Sequence, residues 1–234
     1  MLVARFWPAA LILLMAATGM VAVPVKGGVM TEGAEKIIQL PNPATDGDKS
    51  LEKTLAGRRS VRNYADKALS LEQISQMLWA AQGVTDSRGF RTAPSAGALY
   101  PLEVFVAAGN VADLSPGIYR YTPETHELVQ TVEGDSRKAL HRAALNQPAV
   151  SRAPAVFVFS AVLERVTGKY GKRGVQYAFM EAGHAAQNLC LQAVSLDLVS
   201  VPVGAFDNEN IQRILNAKHE IRPLYLLPVG KAAK

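Results

Sequence analysis

The longest patterned stretch of the chain, residues 177–206, reads as one long helix, a short strand and a glycine turn. At 3.6 residues per turn, Glu181, His184, Asn188, Gln192 and Ser195 fall within an arc of roughly 80°, and nearly every other position is apolar or small. A solvent face would carry Lys and Glu, so this weakly charged stripe predicts contact with another protein surface or a cofactor region. Gly183, Ala185, Ala186, Cys190 and Ala193 lack bulk and would let a second helix pack closely. The alternative is a core helix of a monomer with a few satisfied polar residues. The turn at Val203, Gly204 and Ala205 would present backbone N–H groups to a planar ligand.

Elsewhere the periods are shorter. Residues 51–56 form a short helix stopped by Gly57, and Ser70 with Gln73 makes a capping box before apolar positions at helical spacing up to Gly83. Residues 91–101 hold Pro94, Ser95, Gly97 and Pro101 and read as an ordered turn entering a strand at 102–108. Two strand-like runs, 117–121 and 127–132, suggest a hairpin with His126 at its surface. Residues 136–146 read as a helix and the apolar run 155–162 as a buried strand. A loop is expected at 167–174, a helix capped by Asp207 through 216, and a last strand at 223–229.

With 234 residues, 49% of them hydrophobic, the chain can bury one sizeable core and is too short for two large domains. Residues 6–25 are uncharged and mostly apolar between Arg5 and Lys26, about the length that crosses a bilayer as a helix. They read as a membrane anchor or export signal; the apolar run continues past Ala17 and Gly19, which favours an uncleaved anchor. Residues 26–50 read as a tether, with the catalytic domain at 51–234. The net charge of +5 is modest and scattered, which argues against a nucleic-acid surface. The single Cys190 excludes an intramolecular disulfide, and no zinc constellation accompanies it.

The local exception in charge is RRSVRNY, where Arg58, Arg59, Ser60 and Arg62 supply bidentate donors and a hydroxyl suited to a phosphate monoester. Alone, such a cluster equally describes a solvated face. Five ordered blocks, RRSVRNY, RTAPSAGALYPLEVFV, KYGKRG, EAGHAAQNLCLQA and VPVGAF, followed by LYLLPVG, resemble the SagB/ThcOx-type dehydrogenases of the FMN-dependent nitroreductase superfamily. The resemblance covers roughly residues 37–230. It implies an α+β nitroreductase-like fold, an antiparallel-rich central sheet flanked by helices, in an intertwined homodimer with FMN at the subunit interface.

By that resemblance, Arg58, Arg59, Ser60 and Arg62 hold the FMN phosphate, ribityl chain and pyrimidine edge. Pro94, Ser95 and Gly97 contact the isoalloxazine from the partner subunit, and Val203, Gly204 and Ala205 bring a backbone N–H to flavin N5. Lys169 and Tyr170 match a pair associated with catalysis in members that oxidise azolines in peptides. Lysine can serve so only if burial or nearby positive charge lowers its pKa from about 10.4, and Lys172 and Arg173 stand close in sequence. The basic tail that completes the family's phosphate site is reduced here to Lys231 and Lys234. The implied activity is hydride transfer between flavin and a small or peptidic substrate. A NAD(P)H-dependent nitro or quinone reductase and a membrane-tethered flavin-binding accessory protein are the alternatives.

Overall fold

The apolar run Ala155–Val162 forms β5, which pairs with β2 (Leu102–Ala108) on one side and β7 (Ile221–Gly230) on the other. Successive side chains of β5 point to opposite faces, and both faces are covered, so the run has no polar alternation. Phe157, Phe159 and Ala161 face one apolar cluster, and Val156 and Val158 face a second. The structure is a computed structural model that describes residues 36–233. Its sheet has seven strands in the order β1-β4-β3-β2-β5-β7-β6, all neighbours antiparallel. The other strands are β1 (Ile37–Gln39), β3 (Gly117–Thr122), β4 (Glu127–Glu133) and β6 (Val199–Ser200).

Helices cover both faces. The first cluster joins the sheet to α2 (Leu71–Gln82) and α6 (Arg173–Ser195), and the second joins it to α3 (Arg137–Ala143), α4 (Pro148–Arg152) and α7 (Asn208–Ile214). α1 (Leu51–Gly57) packs on α6, and Ser70 caps α2 through the expected reciprocal bonds with Gln73. The fold is therefore of the α+β class expected, an antiparallel sheet between helices.

Three local expectations are corrected. The loop expected at 167–174 is largely helical, because α5 (Glu164–Tyr170) buries Val166 and packs on the start of α6. The two helices approach so closely that a Cβ on Gly174 would lie 2.8 Å from the Val166 carbonyl group. The helix expected at 136–146 stops at Ala143, where Leu145 and Asn146 take positive φ and α4 follows. His126 is half-buried rather than a surface residue, with Nδ1 2.8 Å from Tyr121 Oη and Nε2 3.0 Å from the Pro41 carbonyl. That geometry suits a neutral ring whose Nε2–H donates to Pro41 and whose Nδ1 accepts from Tyr121, and burial lowers its pKa in the same sense.

The stretch read as a tether is held against the domain from residue 36 onward. β1 pairs with β4, Gln76 bonds both the N–H and the C=O of Ala44, and Lys49 bridges Asp197 at 2.6 Å. Strand pairing, isolated side-chain bonds and the single buried Leu40 hold this part, which is why it shows no period. The apolar segment 6–25 lies outside the described residues. No described helix is long and apolar enough to cross a membrane.

Candidate active site

α6 runs past three groups of the expected site residues. Near its C-terminal end, the segment after α1 forms a parallel bridge, Ser60 to Ser200, with the Val61 N–H on the Ser200 carbonyl at 3.0 Å. The same segment pairs with the chain terminus, where the Ala65 N–H meets the Lys231 carbonyl at 2.9 Å. Backbone pairing thus gathers Arg58, Arg59, Ser60, Arg62 and Lys231 at one edge of the sheet. Arg58 and Arg62 make no side-chain bond among the described residues, and the Ser60 side chain is exposed, so their donors are free for an anion. Arg59 is committed otherwise, its Nη1 donating to the carbonyls of Ala56 and Arg58 at 2.8 Å, which finishes α1. Lys234 lies outside the described residues.

The second group sits near the other end of α6. Gly97, exposed at the tip of a short 3₁₀ turn (Ala96–Ala98), has φ +62. A Cβ there would lie 2.7 Å from Tyr170 Oη and 3.0 Å from Lys169 Nζ, so the left-handed φ favours glycine and the tips of this pair come into contact range of the turn. The expected catalytic pair and the expected flavin-contacting turn therefore meet within one chain. Tyr170 also meets Tyr177 edge-on, with ring centroids 5.2 Å apart. Ser95 Oγ accepts the Tyr100 N–H at 2.9 Å, Ala93 beside it is fully buried, and Pro94 is exposed. Lys169 is exposed in this chain, so the desolvation its expected role requires must come from a bound partner or ligand.

The third group is the turn after β6. Val203 is buried and exchanges two backbone bonds with Leu226, at 2.8 and 3.0 Å, and leaves Gly204 and Ala205 exposed. Gly204 lies outside the left-handed region, and a Cβ would meet only Tyr225 at an ordinary 3.5 Å, so its absence of a side chain is not demanded by this chain. Gly204 lines a cavity of about 400 Å³ with Phe179, Gly183, Phe206 and Tyr225.

Two further residues complete the picture. Glu181 is 2% exposed, and neither carboxylate oxygen has a hydrogen-bond partner. Burial pushes its carboxyl up to about 7; the Ser95 hydroxyl, which approaches without reaching hydrogen-bond geometry, and the Arg91 charge partly oppose this. The folded protein thus keeps a proton that the unfolded chain has lost, and stability falls as pH rises from the ordinary carboxylate range to about 7. Arg91, which the sequence did not mark, stacks on the Tyr100 ring at 4.4 Å and bonds Gln82 and Glu124, which holds the 91–100 loop. Its partners Gln82, Tyr100 and Glu124 lie nine or more residues away, so no local pattern marks it.

On α6 the polar stripe is partly buried and partly open, and the small residues do admit a second helix, the same chain's α2. Ala185, Ala186, Cys190 and Ala193 are buried in this chain's own core, so their small size serves packing against the sheet and α2. The face left open carries Phe179 and Met180, 46% and 55% exposed, with Gly183 and His184. Cys190 is buried, and the Ser200 hydroxyl donates to its sulfur at 3.4 Å. No metal-binding cluster exists among the described residues.

Known proteins resemble this chain in sequence and fold. A family model described as the nitroreductase family matches residues 55–231. A protein of Methanocaldococcus jannaschii named as a nitroreductase is 46% identical over 194 residues, covering 83% of this chain and 96% of its own. A solved nitroreductase structure from Ralstonia eutropha superposes with a TM-score of 0.75 at 32% identity, covering 85% and 90% of the two chains. The microcin B17-processing protein of Escherichia coli is 28% identical over 162 residues, 66% of this chain and 59% of its own.

Proposed function

The chain belongs to the nitroreductase family of oxidoreductases, and on that premise we propose that it is an FMN-dependent enzyme of the SagB/ThcOx type, oxidising azolines in a peptidic substrate. The observation that carries the reading is the contact of Lys169 and Tyr170 with the Gly97 turn, which puts an acid–base pair beside the turn assigned to the flavin ring. The likeness to a microcin B17-processing protein supports it. FMN supplies the two-electron acceptor.

The residues present suit that group. Arg58 and Arg62 offer unpaired guanidinium forks and Ser60 an exposed hydroxyl, the donors a phosphate needs. The exposed Gly97 and Gly204 leave backbone uncovered where a flat ring would lie. Lys169 and Tyr170 then exchange the proton that accompanies oxidation of the substrate.

We also propose a homodimer that shares the site. Cys190, at the Arg58 end, and Tyr177, at the Gly97 end, are thirteen residues apart on α6, about 20 Å along its axis. A single chain thus spreads the phosphate donors and the ring-contacting turn far apart, and the apolar open face of α6 offers the surface for a second copy. A second reading, a NAD(P)H-dependent nitro or quinone reductase, rests on the M. jannaschii relative. Incubating purified holoprotein with an azoline peptide and with NAD(P)H under anaerobic conditions decides: bleaching by the peptide supports the first, bleaching by NAD(P)H alone the second.

Each well-formed Arg–phosphate pair contributes about 1.5–3 kcal/mol. Arg58→Ala and Arg62→Ala are therefore expected to weaken FMN binding about tenfold or more in a fluorescence titration. Unchanged affinity in both would remove the phosphate assignment.

The segment 6–25 is proposed as a membrane anchor. Full-length protein should sediment with membranes and resist extraction by salt or carbonate, because only detergent replaces the apolar surroundings of such a helix. Soluble protein that retains Phe6 would overturn this.

A further inference from the structure

A buried carboxyl group without partners requires an explanation, since such groups are rare and unfavourable in native structures. Glu181 projects from the buried side of α6, one turn after Tyr177, which Tyr170 meets edge-on. The polar group that lies against it is the Ser95 hydroxyl, and the charge that acts on it is Arg91. The other elements packed on α6 carry Glu52 and Lys53 in α1, Glu72 in α2, Glu164, Arg165 and Lys169 in α5, Glu103 in β2 and Arg222 in β7, and the charge that acts most on Glu181 is Arg91. Glu181 therefore couples to one place, the turn that leads into Gly97.

Ser95 can couple back. Its Oγ already accepts the Tyr100 N–H at 2.9 Å, which fixes the oxygen and leaves the hydroxyl hydrogen and one lone pair uncommitted. An ionised Glu181 can only accept, so it draws that hydrogen inward. A neutral Glu181 can donate to the remaining lone pair, and the Ser95 hydrogen is then free to point out of the chain.

We propose that Glu181 is a positioning residue of the redox site, whose protonation decides whether the Ser95 hydroxyl is offered to the flavin or held inside the protein. The proposal rests on the assignment of the 94–97 turn to the flavin. Burial places the carboxyl transition at about 7, so both forms are populated at neutral pH. Neutral Glu181 favours the bound flavin because the Ser95 donor is then free.

The test uses the full chain with FMN between pH 5.5 and 8.5. One hydrogen bond gained or lost changes affinity by about three- to tenfold, so the FMN dissociation constant of the wild type should rise by about that factor across pH 7. Glu181→Gln, whose amide can donate to Ser95 at every pH, should stay at the tighter, low-pH value. Ser95→Ala should be flat at the weaker value. A wild-type inflection that persists in Glu181→Gln or in Ser95→Ala overturns the proposal, as does a flat wild-type profile.

A second measurement needs no cofactor and separates this proposal from the assigned function. The carboxyl infrared band of the flavin-free protein should lose a component titrating at about 7 in Glu181→Gln. In Ser95→Ala that titration should move to higher pH, because the ionised form loses its donor. A titration unmoved by Ser95→Ala overturns the coupling whether or not FMN binds, whereas failure of the wild type to bind FMN counts against the proposed function alone.

Discussion

Lys169→Ala and Tyr170→Phe are each expected to lower turnover about 10²-fold while leaving flavin content unchanged, the usual contribution of a positioned acid–base group. The two side chains approach Gly97 on one side, with Tyr170 Oη and Lys169 Nζ 2.7 and 3.0 Å from where a Cβ would stand. Neither holds the fold together: Lys169 is exposed, and Tyr170 is half-buried with Tyr177 as its aromatic neighbour. Removing the amine or the hydroxyl therefore takes away proton-transfer chemistry and little packing. Turnover on an azoline peptide, with flavin absorbance as the control for cofactor content, reads the effect. If both variants keep full activity, the pair is structural, and simple flavin-mediated reduction replaces azoline oxidation as the assigned activity.

Ala186→Arg should abolish folding, whereas Met180→Arg should yield a folded monomer that retains FMN poorly. Ala186 is 3% exposed and belongs to the cluster beneath the sheet, so an arginine there buries an unpaired charge and exceeds the available volume. The expected loss is about 4 kcal/mol or more, a large part of the stability of an ordinary domain. Met180 is 55% exposed on the open face of the same helix, where an arginine disturbs the isolated chain by no more than about 0.5 kcal/mol. Placed in the proposed dimer interface, however, the same charge would be buried against a second copy. Thermal melting and size-exclusion chromatography separate the two outcomes. A Met180→Arg protein that remains a dimer would place the subunit contact elsewhere.

Elements with a strong local period could be read without tertiary information. The continuous apolar run became β5, Leu102–Ala108 became β2, and Ser70 with Gln73 capped α2, because burial on both faces and capping chemistry leave direct marks on neighbouring residues. The arginine block and the Lys169–Tyr170 pair could be named from the resemblance, since both are contiguous. What stayed hidden was set by groups distant in the chain. α5 looked like a loop because a seven-residue helix with one buried side chain carries no period of its own, and its packing against α6 stabilises it.

The α6 stripe shows the same limit more sharply. Small residues say that something packs closely, but not whether it is the chain's own sheet and α2 or a second subunit. Likewise Glu181 was visible as the one charge on that stripe, while its meaning depends on Ser95, 86 positions earlier. A carboxyl group is ordinary or strained according to which polar atoms surround it and how much water is excluded, and only the folded chain brings those atoms together.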